Sequence, residues 1–118
     1  RVDISTPAQG LTPRQLQRVT EYIDTHLADD LSVRVLAELV TFSPYHFARL
    51  FRQTTGESVH QFVLRKRLEQ AQHLLRKTDL TIAQIALCSG FAHQSHLTRA
   101  FHKHFRLTPH AYRQAYRV

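Results

Sequence analysis

Residues 58–77 read SVHQFVLRKRLEQAQHLLRK. The run is rich in strong helix formers and contains neither Gly nor Pro. It opens on Ser58 with Gln61 three places on, the pair in which a hydroxyl caps the first turn and the glutamine side chain caps the hydroxyl residue in return. One uninterrupted helix follows. Leu64, Leu68, Ala71 and Leu75 share a stripe on it, Phe62 and Val63 precede that stripe and point back toward the residues before, and Arg65, Lys66 and Arg67 ring it in between. Ahead of this helix stands a short helix, a turn and a second helix closing on Gly56; behind it the same arrangement comes again. The long helix therefore reads as a spacer between two copies of one unit.

Upstream, residues 1–11 hold Pro7 and Gly10 and show no helical period, as a linker or N-terminal arm would. Thr12-Pro13 with Gln15 starts a helix over about 13–28, with Leu16, Val19, Ile23 and Leu27 inward. Asp29 and Asp30 break it. Ser32 caps a short helix with Val35, Leu36, Leu39 and Val40 inward, and Ala37 is small enough for another helix to come close. After Thr41-Phe42, Ser43-Pro44 opens a helix that ends at Gly56, a residue suited to a left-handed cap. Phe47, Leu50, Phe51 and Thr54 take its inner face; Tyr45, Ala48, Arg49 and Arg52 take the outer one.

Downstream, Thr81 with Gln84 opens another short helix, and Gly90 in Cys88-Ser89-Gly90-Phe91 is expected at positive φ. In the helix over about 94–105, Leu97, Ala100, Phe101 and Phe105 face inward and Ser95, Thr98, Arg99 and His102 outward, with Gln94 and His96 at the leading end. Thr108-Pro109 starts the last helix. An offset of fifty pairs Phe47 with Leu97, Arg49 with Arg99, Phe51 with Phe101, Ser58 with Thr108 and Phe62 with Tyr112; upstream the offset is forty-nine, so one residue is gained in the turn. The fold class is all-α: two helix-turn-helix units, residues 12–57 and 78–118, joined by a linker helix over 58–77.

Composition sets the chemistry. The 118 residues carry 16 Lys+Arg against 9 Asp+Glu, a net charge of +7. No acid follows Asp79, yet Arg99, Lys103, Arg106, Arg113, Arg117 and five histidines do. A polyanion is the partner such a field attracts. With no signal peptide and no long apolar run, the expected setting is cytoplasmic and off the membrane. The lone Cys88 excludes an internal disulfide and reads as a small packing residue. His93, His96, His102, His104 and His110 invite a metal, but no acid follows Asp79 to complete a familiar ligand set, so neither metal nor cofactor is expected. The acids cluster away from any pocket that would serve catalysis, so no enzyme is expected either.

The run IAQIALCSGFAHQSHLTRAFHKHFRLTPHAYR resembles the signature of the AraC/XylS family of bacterial transcription regulators, and LAELVTFSPYHFARLFRQTTGESVHQFVLRKRLEQAQHLL is similar to that family's first unit. The resemblance covers residues 13–117. It implies a seven-helix, two-lobed DNA-binding domain with homeodomain-like helix-turn-helix units, each lobe placing one helix (about 44–55 and 94–105) in the major groove. Where the family usually has glycine after the second of these helices, this chain has Arg106, which costs ~1 kcal/mol if the backbone there is left-handed.

By position and by resemblance, the base-reading residues are Tyr45, Ala48, Arg49 and Arg52 in the first unit and Gln94, Ser95, His96, Thr98 and Arg99 in the second. Arg49 and Arg99 have the fork for guanine, Gln94 the amide for adenine, and Ala48 only a methyl for thymine. Tyr45 touches either bases or sugar-phosphate, or packs in part. Ser43, His46, Lys103, Arg65 and Arg113 are expected on phosphates, and Arg67 in an ion pair, for example with Glu38. A helix of about eighteen residues is ~27 Å long, which brings the two reading helices near one DNA turn, ~34 Å. The expected partner is operator or promoter DNA bound by one chain, with RNA polymerase a further partner and an effector-binding or dimerising domain N-terminal to this one. A basic helical module for protein partners is the alternative reading.

Overall fold

A computed structural model describes residues 10–117; the expected arm, apart from Gly10 and Leu11, lies outside the described residues. Seven helices and no strand occur among the described residues: α1 Pro13–Thr25, α2 Val33–Leu39, α3 Pro44–Thr55, α4 Val59–Lys77, α5 Ile82–Cys88, α6 Gln94–Phe105 and α7 Pro109–Tyr116. No helix among them is long and apolar enough to cross a membrane. They divide into two compact units, one of residues 10–26 with Asp30–Val63, the other of Leu27–Asp29 with residues 64–117.

The starts follow from the caps. Thr12 and Thr81 form reciprocal capping boxes with Gln15 and Gln84, and Ser58 and Gln61 exchange the same pair of bonds, 3.0 and 3.1 Å, ahead of α4. Ser32, Ser43 and Thr108 each accept from a backbone N–H in the first turn. Of the seven helices, only α6 begins without a side-chain cap: His93 occupies the position and makes no such bond.

In the first unit, Val19, Ile23, Leu36, Phe47 and Phe51 are fully buried. Phe51 lies between Phe47, 5.7 Å away, and Phe62, which meets it edge-on at 5.2 Å. Arg18 donates Nε to the Leu39 carbonyl at 2.9 Å, satisfying an orphan acceptor at the end of α2. Three details depart from the sequence reading. Helix α1 stops at Thr25 rather than near 28; there Thr25 donates its hydroxyl to the Glu21 carbonyl and the His26 ring stacks on Tyr22 at 3.9 Å. Thr54 is exposed; its Oγ1 instead accepts the Leu11 N–H at 2.8 Å, anchoring the buried Leu11. Val35 and Leu39 are only half-buried, the inner face of α2 being Leu36, Ala37 and Val40.

The second unit is built around Leu68, Ala71, Leu75, Ile85, Ala86, Phe91, Leu97 and Phe101. Two arginines fasten its chain ends. Arg67 donates Nε to the Leu27 carbonyl at 3.0 Å and Nη2 to that of Asp29 at 2.9 Å. Arg113 donates Nε to the Leu75 carbonyl at 3.0 Å and Nη2 to that of Thr78 at 3.1 Å, capping the end of α4. Arg117 pairs with Asp79. Cys88 is exposed, against its reading as a packing residue. Ser89 is the fully buried residue of that turn.

Helix by helix, the repeat is regular. α2 and α5 have seven residues each, α3 and α6 twelve each. The added residue, Ala92, falls between Phe91 and the capping position His93, matched by Phe42 and Ser43. Each unit has two left-handed residues, and in each only one is glycine: Thr41 (φ 56) and Gly56 (φ 82) in the first, Gly90 (φ 91) and Arg106 (φ 65) in the second. The left-handed geometry at Arg106 therefore exists and carries its strain. Arg106→Gly is expected to raise stability by up to ~1 kcal/mol, since the relief of strain exceeds the lost attraction between the guanidinium and the helix C-terminus. A thermal melt reads this as a rise in Tm of several degrees; an unchanged or lower Tm would mean that the arginine side chain is worth as much as the strain.

Candidate nucleic-acid interface

The outer faces of α3 and α6 are built alike. In the first unit Tyr45, Arg49 and Arg52 are exposed, Tyr45 by 80%, and Ala48 is half-buried between them. With Val33, Ser58, Val59 and His60 these four border a shallow hollow of ≈ 360 Å³. In the second unit Gln94, Ser95, Thr98, Arg99, His102 and Thr108 border one of ≈ 760 Å³. Five positions correspond across the two hollows at the fifty-residue offset: Tyr45 with Ser95, Ala48 with Thr98, Arg49 with Arg99, Arg52 with His102, and Ser58 with Thr108.

The structure thus brings all four base-reading residues named for α3 together, and four of the five named for α6. The fifth, His96, lies on the other flank of α6, where with Leu64, Leu68, Arg99, Ala100, Lys103 and His104 it borders a hollow of ≈ 560 Å³. Arg99 borders both hollows. The His96 ring meets Phe91 edge-on at 5.1 Å, and His46 meets Phe42 in the same way at 5.0 Å. Each of these histidines is seated on the aromatic residue that ends the turn, which restricts where its ring can reach. Ser95 shares its hydroxyl with His93 Nδ1 at 2.9 Å, a contact that orients both.

Of the residues expected on phosphates, Lys103 is exposed and Ser43 sits at the start of α3 with its Oγ accepting from the His46 N–H at 3.2 Å. Arg65 is ion-paired to Glu69 at 3.1 Å, so a phosphate there competes with a carboxylate. Arg113 is engaged at both Nε and Nη2 by carbonyls of its own unit, which makes it a fastening of α4. His102, Thr108, Ser58 and His60 were not singled out as site residues from the sequence. The signal for His102 was present in the repeat, which sets it opposite Arg52. Among the described residues no cluster of His, Cys, Asp and Glu is disposed to hold a metal.

Comparison with known proteins agrees with this architecture. Residues 36–115 match the model of a helix-turn-helix domain family. The regulatory protein PocR of Salmonella typhimurium is 38% identical over 108 residues, 90% of this chain and 36% of PocR. A transcriptional regulator with an AraC-type DNA-binding domain from Chromobacterium violaceum superposes with a TM-score of 0.79 at 30% identity, covering 86% of this chain and 90% of that one. The DNA-binding domain of the global transcriptional factor AdpA, solved in complex with a target DNA, does so with a TM-score of 0.82 at 32% identity, over 86% of this chain and 92% of that one. The chain spans about a third of the length of PocR and under half of each of four other curated relatives. Likeness at this identity, over most of the chain and nearly all of those solved domains, places it in the AraC/XylS family of transcription regulators, as that family's DNA-binding domain.

Proposed function

We propose that the chain binds double-stranded DNA sequence-specifically, with α3 and α6 each reading one of two adjacent major-groove segments. The observation that carries this reading is the duplicated outer face: two twelve-residue helices with an arginine at the same place, each bordering its own hollow, in a chain of net charge +7. Arg49 and Arg99 present forked donors to guanine O6 and N7, and Gln94 presents an amide to adenine. Ala48 offers a methyl to thymine, and Thr98 offers a methyl and a hydroxyl. Tyr45 and Arg52 complete the first face, Ser95 the second, and His96 stands at its flank. Phosphates fall to Ser43, His46 and Lys103, and to Arg65 in exchange for Glu69. Arg113 ranks last among the residues we propose for phosphates, because its Nε and Nη2 already donate to carbonyls.

The units 12–57 and 78–118, joined by the helix over 58–77, act as one monomeric DNA-binding module of a longer bacterial cytoplasmic regulator. RNA polymerase is the further partner that we propose for a regulator bound at a promoter. Selection of sites from random DNA, followed by titration of salt against affinity, tests the core reading. The expected outcome is two short boxes bound by one chain, with log affinity falling linearly in log salt at a slope of about −0.9 per phosphate neutralised. Binding without sequence preference, or two chains on a minimal two-box site, contradicts it.

A further inference from the structure

Five corresponding positions border the two hollows, and one of them exchanges a fixed charge for a titratable one. Arg52, three residues after Arg49, is matched by His102, three residues after Arg99. Resting on the DNA-binding reading, we propose that His102 is a direct DNA contact of the second unit, standing where Arg52 stands in the first, and that it makes the hold of α6 on DNA depend on proton concentration.

Placement supports the contact. His102 is exposed and borders the same hollow as Gln94, Thr98 and Arg99, and Thr108 at the start of α7 closes that hollow as Ser58 closes the first. A duplex seated on Arg99 and Gln94 therefore meets His102 next along the helix face. Histidine is the side chain whose charge changes in the physiological range. Neutral, it offers one donor and one acceptor; protonated, it offers two donors and a charge, which suits a phosphate or guanine and excludes a donor edge.

The surroundings do not neutralise that charge. On its own helix and cap His102 has Arg99, Lys103, His104 and Arg106 as neighbours. Helix α5 carries no ionisable side chain except Cys88, and α7 brings His110, Tyr112, Arg113 and Tyr116. On the part of α4 that belongs to this unit lie Arg65, Lys66, Arg67, Glu69, His73, Arg76 and Lys77, of which Glu69 pairs with Arg65. Asp79 pairs with Arg117, and the Asp29 side chain does not border the hollow. Among the described residues no acid borders the hollow, so DNA supplies the anion that a protonated His102 meets there.

The test measures affinity by fluorescence anisotropy on selected two-box DNA and on DNA with the second box scrambled, between about pH 6 and about pH 8 at constant ionic strength. Wild type is compared with His102→Arg, His102→Gln and Arg52→His. On two-box DNA wild-type affinity is expected to fall about fivefold or more as pH rises, with the salt slope steeper by ~0.9 at the acid end. His102→Arg should hold the tight value across the range, His102→Gln the weak one, and Arg52→His should add a second pH-dependent step. Scrambling the second box should remove the His102-dependent step alone. If His102→Arg and His102→Gln keep the wild-type pH dependence, another histidine takes up the proton and the inference is overturned. If no selected sequence is preferred at any pH, the DNA-binding reading itself fails, which is a different result from specific binding without proton linkage.

Discussion

Gly90→Ala is expected to destabilise the second unit by roughly 4 kcal/mol, more than any other single methyl added to a turn of this chain. Three effects act together. Gly90 has φ 91, where a side chain strains the backbone. A Cβ built there meets the Leu27 carbonyl oxygen at 2.1 Å and Arg67 Nε at 2.4 Å, both far inside contact distance. Moving away from that methyl separates Arg67 from the Leu27 and Asp29 carbonyls, which it holds at 3.0 and 2.9 Å. The first unit provides the internal controls. Its counterpart of Gly90 is Thr41, a β-branched residue at φ 56 whose hydroxyl donates to the Val40 carbonyl, so the left-handed turn alone is tolerable. Its other left-handed residue, Gly56, has nothing within 4 Å of a built Cβ, and Gly56→Ala should cost only the backbone term of ~1 kcal/mol. Urea titration followed by circular dichroism separates these; equal losses for Gly90→Ala and Gly56→Ala would remove the steric explanation and leave only backbone strain.

That contrast also explains what the sequence could and could not reveal. The helices were legible because their signals are local: Thr12 with Gln15, Ser58 with Gln61 and Thr81 with Gln84 each find their partner within one turn. The inner faces of α3 and α6 were legible because a period of 3.6 residues sorts phenylalanine from arginine on a helix of twelve. The fastenings were not. Arg67 reaches backbone that lies 40 and 38 residues away, and Arg113 backbone 38 and 35 residues away; a carbonyl has no signature in sequence. For the same reason the sequence offers Arg113 as a phosphate contact and does not reveal its bonds to the Leu75 and Thr78 carbonyls. Thr54 lies at a helical position that the period assigns to the core, and its bond to the Leu11 N–H joins residues 43 apart, which helical spacing does not reveal. At the candidate site, the outward arginines followed from helical spacing, whereas the separation of His96 from Ser95 across two flanks of α6 needed the side-chain positions on Phe91 and His93.

Arg99→Ala should weaken binding to a selected two-box site by ~1–3 kcal/mol and erase preference at one base pair of the second box, and Arg49→Ala should do the same in the first. The two losses are expected to differ in what remains. Around Arg99 the hollow also offers Gln94 and Thr98, so a second box stripped of its arginine contact retains an amide able to choose adenine. Around Arg49 the corresponding position is Ala48, whose methyl selects weakly; without Arg49 the first box keeps Tyr45 and the charge of Arg52, which fix position better than sequence. Arg49→Ala should therefore turn the first box nearly sequence-blind, while Arg99→Ala leaves a reduced preference. Lys substitutions sharpen the point, because lysine keeps the charge and loses the fork: both should restore affinity for random DNA more fully than discrimination. Lys103→Ala is the comparison that loses charge without losing a base contact, and it should weaken all sequences alike while lowering the salt slope by about one. Repeating the site selection with each variant reads these outcomes directly. Should Arg99→Ala and Lys103→Ala weaken selected and random DNA by the same factor, Arg99 is a phosphate contact and the duplicated arginine does not read bases.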